Sequence, residues 1–345
     1  MRQFGFNTGL IALGIIIQSG CIDGVRKAAC RPACVRCPKE TRRDSEWSSP
    51  IVLLRAIPGV FYGALDFSGD GQFFAAADNR GVIYLWDAQS LKLIRQFKAH
   101  SGYVSSIRFD YLRGRKIPLV LYSVGEDGYL RKWDPRTSQK VLEWVAHSGP
   151  VVGLATDGLE SVATVGEESG AETTEIKMWR ADGGGPLWKA SIASATFDEV
   201  AIASGRRYSN VLLVAVHSDD ASVIEYDVRN GAVVGRHYLG QEPVGSMSIS
   251  QTDLLIAIGS DRARIFELGS WRLVQRGRHH MPFGNTMAFH PFGYLALFAE
   301  YMEMIVRSSD FAVVEKLNGP SLSHRRTMFH PNGILLVSSA FVESA

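Results

Sequence analysis

The sequence predicts an all-β fold made of repeated units, and three observations carry that prediction. Short apolar runs rich in Val, Ile, Phe and Tyr alternate with turn residues drawn from 34 glycines. Tryptophans recur at near-constant spacing, with Trp86, Trp133 and Trp179 standing 47 and 46 residues apart. A second series, FSGDG (67–71), FHPFG (289–293) and FHPNG (329–333), falls in one phase, each copy between an alternating strand and an apolar one.

The N-terminal part is different in kind. Met1-Arg2 gives a short positive start, Gly9 to Ile17 is an unbroken apolar run, and the small residues Ser19 and Gly20 precede Cys21. This is the three-part layout of a secretory signal, and the run is less than half the ~20 residues that a membrane-spanning helix needs. Ser19, Gly20 and Cys21 also resemble the lipobox of bacterial lipoproteins, although Gln18 stands where that family has an aliphatic residue. The resemblance implies cleavage before Cys21 and lipidation of its thiol, which places the chain on a bacterial envelope membrane, outside the cytoplasm. Residues 1–20 are therefore expected to be a lipoprotein-type signal, 21–49 a basic tether and 50–345 the folded domain. In the tether, Cys30, Cys34 and Cys37 have C-x3-C-x2-C spacing. A disulfide between two of them, a zinc knot and a metal-cluster loop are the readings open to that spacing.

Within 50–345, the segments VIYLWDAQSLKLIRQF (82–97), YLRKWDPRTSQKVLEWV (129–145) and IKMWRADGGGPLWKA (176–190) each run strand, Trp, turn, strand. Fainter copies place Tyr226 and Phe266 at the Trp position. Proline at the second turn position presets φ and glycine suits the exit, so the FHPxG segments are tight turns. His290 and His330 then belong to turns of the repeat rather than to a metal site. Dividing the domain by seven gives about 42 residues per unit, within the ~40–45 usual for four-stranded propeller blades. Seven blades are expected, with six as the alternative. PIVLLRA (50–56) is expected to pair with the last blade and close the ring, which leaves no open sheet edge between first and last blades.

These segments resemble the Trp-Asp (WD) repeat family of β-propellers, most strongly in the first three repeats. The best copy joins AHSGYVSSIRF to LYSVGEDGYLRKWD. In that family a His, a Ser or Thr, an Asp and the Trp form a buried hydrogen-bonded chain, and His100, Ser123, Asp127 and Trp133 match those positions. Ser, His and Asp together also suggest a hydrolase triad. A nucleophilic serine needs an exposed turn beside an oxyanion hole, however, whereas Ser123 lies in an alternating strand. The resemblance implies a structural tetrad, with no catalytic residue and no cofactor.

The inner strand of each blade begins at one mouth of the central channel in this fold. Counting back from the turn aromatics places Phe61, Tyr103 and Phe283 there, with Pro150 and Pro243 by looser alignment, as a candidate partner-binding ring. Thirty-seven Lys and Arg against 35 Asp and Glu give a net charge of +2, and nothing in that balance points to nucleic acid. The expected function is a monomeric, membrane-anchored protein-interaction scaffold, not an enzyme. A channel-mouth ligand binder or an enzyme acting on envelope carbohydrate or peptide is the alternative.

Overall fold

The computed structural model describes residues 10–17, 51–56, 62–110, 119–157, 161–170, 173–193, 196–204, 209–217, 220–250, 255–259, 262–280, 286–291, 293–299, 302–316, 323–333 and 335–342. Two strands precede the repeats, β1 (Leu10–Ile17) and β2 (Ile51–Ala56). The first blade is β3 (Tyr62–Phe67), β4 (Phe73–Asp78), β5 (Val82–Asp87) and β6 (Leu93–Lys98). The second is β7 (Val104–Asp110), β8 (Val120–Gly125), β9 (Tyr129–Asp134) and β10 (Gln139–Val145). The third is β11 (Val151–Thr156), β12 (Ser161–Glu167), β13 (Thr173–Arg180) and β14 (Pro186–Ala193). The fourth is β15 (Thr196–Ser204), β16 (Ser209–His217), β17 (Ala221–Asp227) and β18 (Val233–Gly240). The fifth is β19 (Ser246–Ile249), β20 (Leu255–Gly259), β21 (Arg262–Glu267) and β22 (Leu273–His280). The sixth is β23 (Thr286–Phe289), β24 (Tyr294–Ala299), β25 (Met302–Arg307) and β26 (Val313–Lys316).

Among the described residues, then, an all-β propeller has six blades made of four consecutive antiparallel strands. The last two strands, β27 (Ser323–Phe329) and β28 (Leu335–Val342), join β1 and β2 in a further sheet of order β2-β1-β28-β27. This composite sheet corrects one expectation. The strand at 51–56 does not pair with the last repeat; it lies outside β1, and β1 takes the edge of β28 from Leu10↔Val342 to Ile17↔Leu335. The physical reason is the apolar run LIALGIII, which offers β28 eight consecutive ladder residues, whereas IVLLRA offers six. The same run carries the expectation of an export signal. Cys21, Cys30, Cys34 and Cys37 lie outside the described residues.

Alternating sequence becomes layered burial. In the first blade β3 and β4 are almost wholly buried, while β6 on the outside is largely exposed. The core is accordingly divided among the seams between neighbouring sheets. Ala75, Ile83 and Leu85 of the first blade pack with Ile107, Leu121 and Trp133 of the second. Tyr62, Phe74 and Trp86 pack with Leu335 and Val337 of the composite sheet, whose Phe329 and Leu336 also meet Ala296 and Phe298 of the sixth blade. The inner strands touch in succession from β3 through β7, β11, β15, β19, β23 and β27, and β27 returns to β3.

The hairpin after the third strand of each blade requires a left-handed residue. Gly231 (φ 72°) meets that need without strain, but Leu91 (58°), Trp271 (52°) and Phe311 (56°) stand at the same position elsewhere. A side chain there costs about 1–2 kcal/mol. Each recovers it by reaching a seam: Leu91 and Phe311 join core clusters, and the Trp271 indole donates to Glu225 of the preceding blade at 2.6 Å.

Candidate functional site: the blade-two network and the channel

The best sequence copy gives the best-formed polar network. Asp127 Oδ1 lies 2.8 Å from His100 Nδ1, His100 Nε2 lies 2.8 Å from Ser123 Oγ, and Trp133 Nε1 donates to that Oγ at 2.8 Å. One assignment satisfies the whole chain: Nδ1–H donates to the carboxylate, Ser123 O–H donates to Nε2, and the indole N–H donates to the serine oxygen. Arg131 Nη1 donates to the other oxygen, Asp127 Oδ2, at 2.7 Å. Burial works to raise the Asp127 carboxyl, but the His100 and Arg131 interactions outweigh it and hold the group well below the usual carboxylate range. Burial is the largest influence on His100 and lowers it, which favours the neutral ring that the assignment needs.

This network holds all four residues expected in the tetrad, and it is closed to chemistry. Ser123 and His100 are both buried, and the serine oxygen already accepts from Trp133 while its proton goes to His100. Ser123→Ala orphans a buried indole N–H and a ring nitrogen, so a loss of about 1–3 kcal/mol in urea unfolding is expected, with secondary structure retained. A loss under 0.5 kcal/mol, of the order of an ordinary surface change, contradicts the tetrad reading.

The third blade repeats the network with different residues. His147 Nδ1 meets Glu168 Oε1 at 3.0 Å, His147 Nε2 meets Thr164 Oγ1 at 2.9 Å, and Trp179 Nε1 donates to Thr164 at 2.9 Å. The repeat spacing placed Trp179, but the partners of its indole were not legible from it, because Thr164 stands 15 residues before Trp179 whereas Ser123 stands 10 before Trp133. The signal was present as TVGEE (164–168) beside SVGED (123–127). His147, Glu168 and Glu175 also bring three possible metal-ligand atoms within 4.8 Å of one another. The Lys177 ammonium already sits among them, 2.6 Å from Glu168 Oε1 and 3.4 Å from Glu175 Oε2, and donates to Ala146 O at 3.0 Å. The group is an ion-paired extension of the structural network.

The turn histidines act between blades. His290 Nε2 donates to Gly333 O and His330 Nε2 to Gly71 O, both at 2.9 Å. Their rings meet Phe329 and Phe67 edge-on. Each therefore ties its own turn to the corresponding turn of the next sheet, in keeping with the reading of these histidines as part of the repeat.

Of the expected mouth residues, Phe61 and Phe283 lie outside the described residues, and Pro150 and Pro243 are partly exposed. Tyr103 lies over Gly63 of the first blade, so closely that any Cβ at Gly63 would collide with its hydroxyl. Near it a pair appears that sequence reasoning did not find. Arg326 Nη1 donates to Glu199 Oε2, and these are the fourth residues of β27 and β15, inner strands that are not neighbours in the ring. Such strands face each other only across the channel, so the ion pair spans it. Glu199 raises the Arg326 guanidinium pKa above its ordinary value, and Tyr103 lies close enough to act electrostatically on the same group. The structure thus brings Tyr103 to an acid and a base that neutralise each other.

Residues 62–87 and 91–134 match the family described as "WD domain, G-beta repeat". The chain is 26% identical over 184 residues to U3 small nucleolar RNA-associated protein 7 of Saccharomyces cerevisiae, covering 53% of this chain and 30% of the yeast protein. It is 27% identical over 109 residues to Cilia- and flagella-associated protein 337 B of Tetrahymena thermophila, covering 31% of this chain and 8% of that protein. It is 32% identical over 100 residues to WD repeat-containing protein 91 of Xenopus tropicalis, covering 28% and 13%. The matches thus span less than a third of these relatives' own length. Repeat spacing, four-stranded blades and the two hydrogen-bonded networks agree with the family match, and the chain carries repeats of the WD type within residues 62–134 of an all-β propeller.

Proposed function

We propose that this protein is a non-catalytic scaffold that binds protein partners through a propeller face. The observation that supports it best is the blade-two network: the Ser, His and Asp that could have formed a hydrolytic site are consumed in buried structural bonds. The channel-mouth alternative draws on Tyr103, Arg326 and Glu199, but that acid and base already satisfy one another. The same reading takes the composite sheet as a seventh blade and Phe61, Tyr103, Pro150, Pro243 and Phe283 as the partner-binding rim.

The scaffold is further proposed to be exported and lipid-anchored through Cys21 in a bacterial envelope. Removal of residues 1–20 would take β1 away and leave the edge of β28 to β2, the pairing the sequence predicts. Two measurements test this. Labelling with an alkyne fatty acid should mark the wild type and not Cys21→Ser, and the labelled protein should lack residues 1–20 by mass. Label on Cys21→Ser, or an intact N-terminus on the membrane-bound protein, removes the anchor. For the scaffold, a partner captured from membranes and then purified should bind the wild type at least about tenfold more tightly than the Phe61, Tyr103 and Phe283 triple alanine variant, a difference of about 1.4 kcal/mol. Equal affinity would remove the rim.

A further inference from the structure

The histidine ties between turns expose an exception between the second and third blades. His290 and His330 directly follow the last residue of their inner strands, and each donates to a glycine carbonyl in the next turn. Ser68 holds the same position in the first blade and keeps its hydroxyl within its own turn, 2.6 Å from Asp70. In the second blade the position is Asp110, directly after Phe109, and in the third it is Asp157, directly after β11. A carboxylate cannot donate to a neighbouring carbonyl. Where the repeat elsewhere places a donor, this seam has two acceptors.

Asp110 shows the consequence. It is 9% exposed, yet its Oδ1 is buried with no hydrogen-bond partner. Burial first, and then the charge of Asp157, push its carboxyl up to about 6. The charge of Lys132 eases the ionised form in part, but among the described residues no group supplies the missing hydrogen bond to Oδ1. Lys132 donates to Ala181 O at 2.8 Å and lies over the Tyr122 ring, Asp157 Oδ1 accepts from Ser161 N at 3.0 Å, and Asp182 is paired with Arg180. Asp157 is partly exposed and Asp182 exposed, which gives the seam an open acidic border.

We propose that this seam, at the turn ends of β7 and β11, binds a cationic side chain, an arginine or lysine, of a protein partner. A guanidinium or ammonium supplies the donors that the repeat position lacks, and a charge-assisted bond to a buried carboxylate is about twice as strong as a neutral one. A single metal ion fits less well. Among the described residues, the three aspartates do not bring their oxygens within 4.8 Å of one another, whereas His147, Glu168 and Glu175 do. The inference rests on the scaffold reading and narrows it to a partner with an exposed basic residue.

The test is a titration of the full chain with acetyl-Gly-Arg-Gly-amide, followed through the amide signals of Phe109 and Ser161. The same peptide with citrulline in place of arginine has nearly the same shape without the charge. Binding with Kd on the order of 1 mM is expected for arginine, and at least about tenfold weaker binding for citrulline. Asp110→Asn should weaken the arginine peptide by a similar factor, and Asp110→His, which restores the repeat's donor, should abolish its binding. Equal binding of the two peptides, which needs no variant to fold, overturns the proposal. So does unchanged affinity in a folded Asp110→Asn, or a response of the same amides to calcium chloride with none to arginine. The titration uses no partner, so a negative result alongside a partner that still binds would sink the seam alone and leave the scaffold standing.

Discussion

Arg326→Met is expected to cost about 3–5 kcal/mol, the largest loss from any single polar change in this propeller. The cost comes from what is left behind rather than from the lost attraction. Glu199 is only 7% exposed at its side chain against 31% for Arg326, so removing the arginine strands the more buried charge. Glu199→Gln should accordingly cost less, since the orphaned guanidinium still reaches water. The double variant Arg326→Met with Glu199→Leu should recover most of the loss, because a buried ion pair and an apolar pair of similar volume are often close in energy. Urea unfolding of all four proteins measures the cycle. If the two single losses simply add in the double variant, the residues do not interact and the pair across the channel is refuted. The pair also bears on construction: β15 and β27 stand 127 residues apart, and one bond fixes the last inner strand against the middle of the ring.

That bond shows where the sequence stops being informative. Periodicity reports which face of a strand is buried, and a fixed repeat reports how strands group into blades. Trp86, Trp133 and Trp179 were therefore enough to place three blades, and the second network followed only from the resemblance of its repeat to the Trp-Asp family. Neither signal encodes the curvature that brings the fourth residue of one inner strand opposite the fourth of another. Thr164 and Glu168 were hidden for a smaller reason: an insertion moved them relative to Trp179 while leaving the local string TVGEE intact. The apolar run at 10–17 was ambiguous in a third way. An unbroken aliphatic segment suits an export signal and a strand at a sheet edge equally well, because both select for hydrophobicity without periodicity. The turn histidines were legible as turn residues, but the carbonyls they reach belong to the next sheet and depend on how the blades are stacked.

Asp110→Asn should stabilise the protein at pH 8 by about 2–3 kcal/mol and leave it essentially unchanged at about pH 3. The folded carboxyl titrates near 6 against an ordinary value of 3.8. Folding therefore favours the protonated form, so below about pH 3, where both states hold the proton, ionisation costs nothing. As pH rises toward 6 the unfolded chain releases its proton and the folded chain resists, and above 6 the full penalty is in place. Asparagine keeps the shape and never ionises, so it removes the penalty at high pH alone. Other groups pull the opposite way. His147 is held down to about 4 by burial and Lys177, so it disfavours folding as pH falls from 6.5 toward 4. Burial opposes ionisation of Glu168, but Lys177 and Ser148 hold its carboxyl down to about 2, and its contribution fades as pH falls from 4.5. Wild type and variant share both effects, so the difference between their stability curves isolates Asp110. A difference that is flat from pH 4 to 8 would show that the carboxylate is solvated or already paired, and would remove the basis for a cation at this seam.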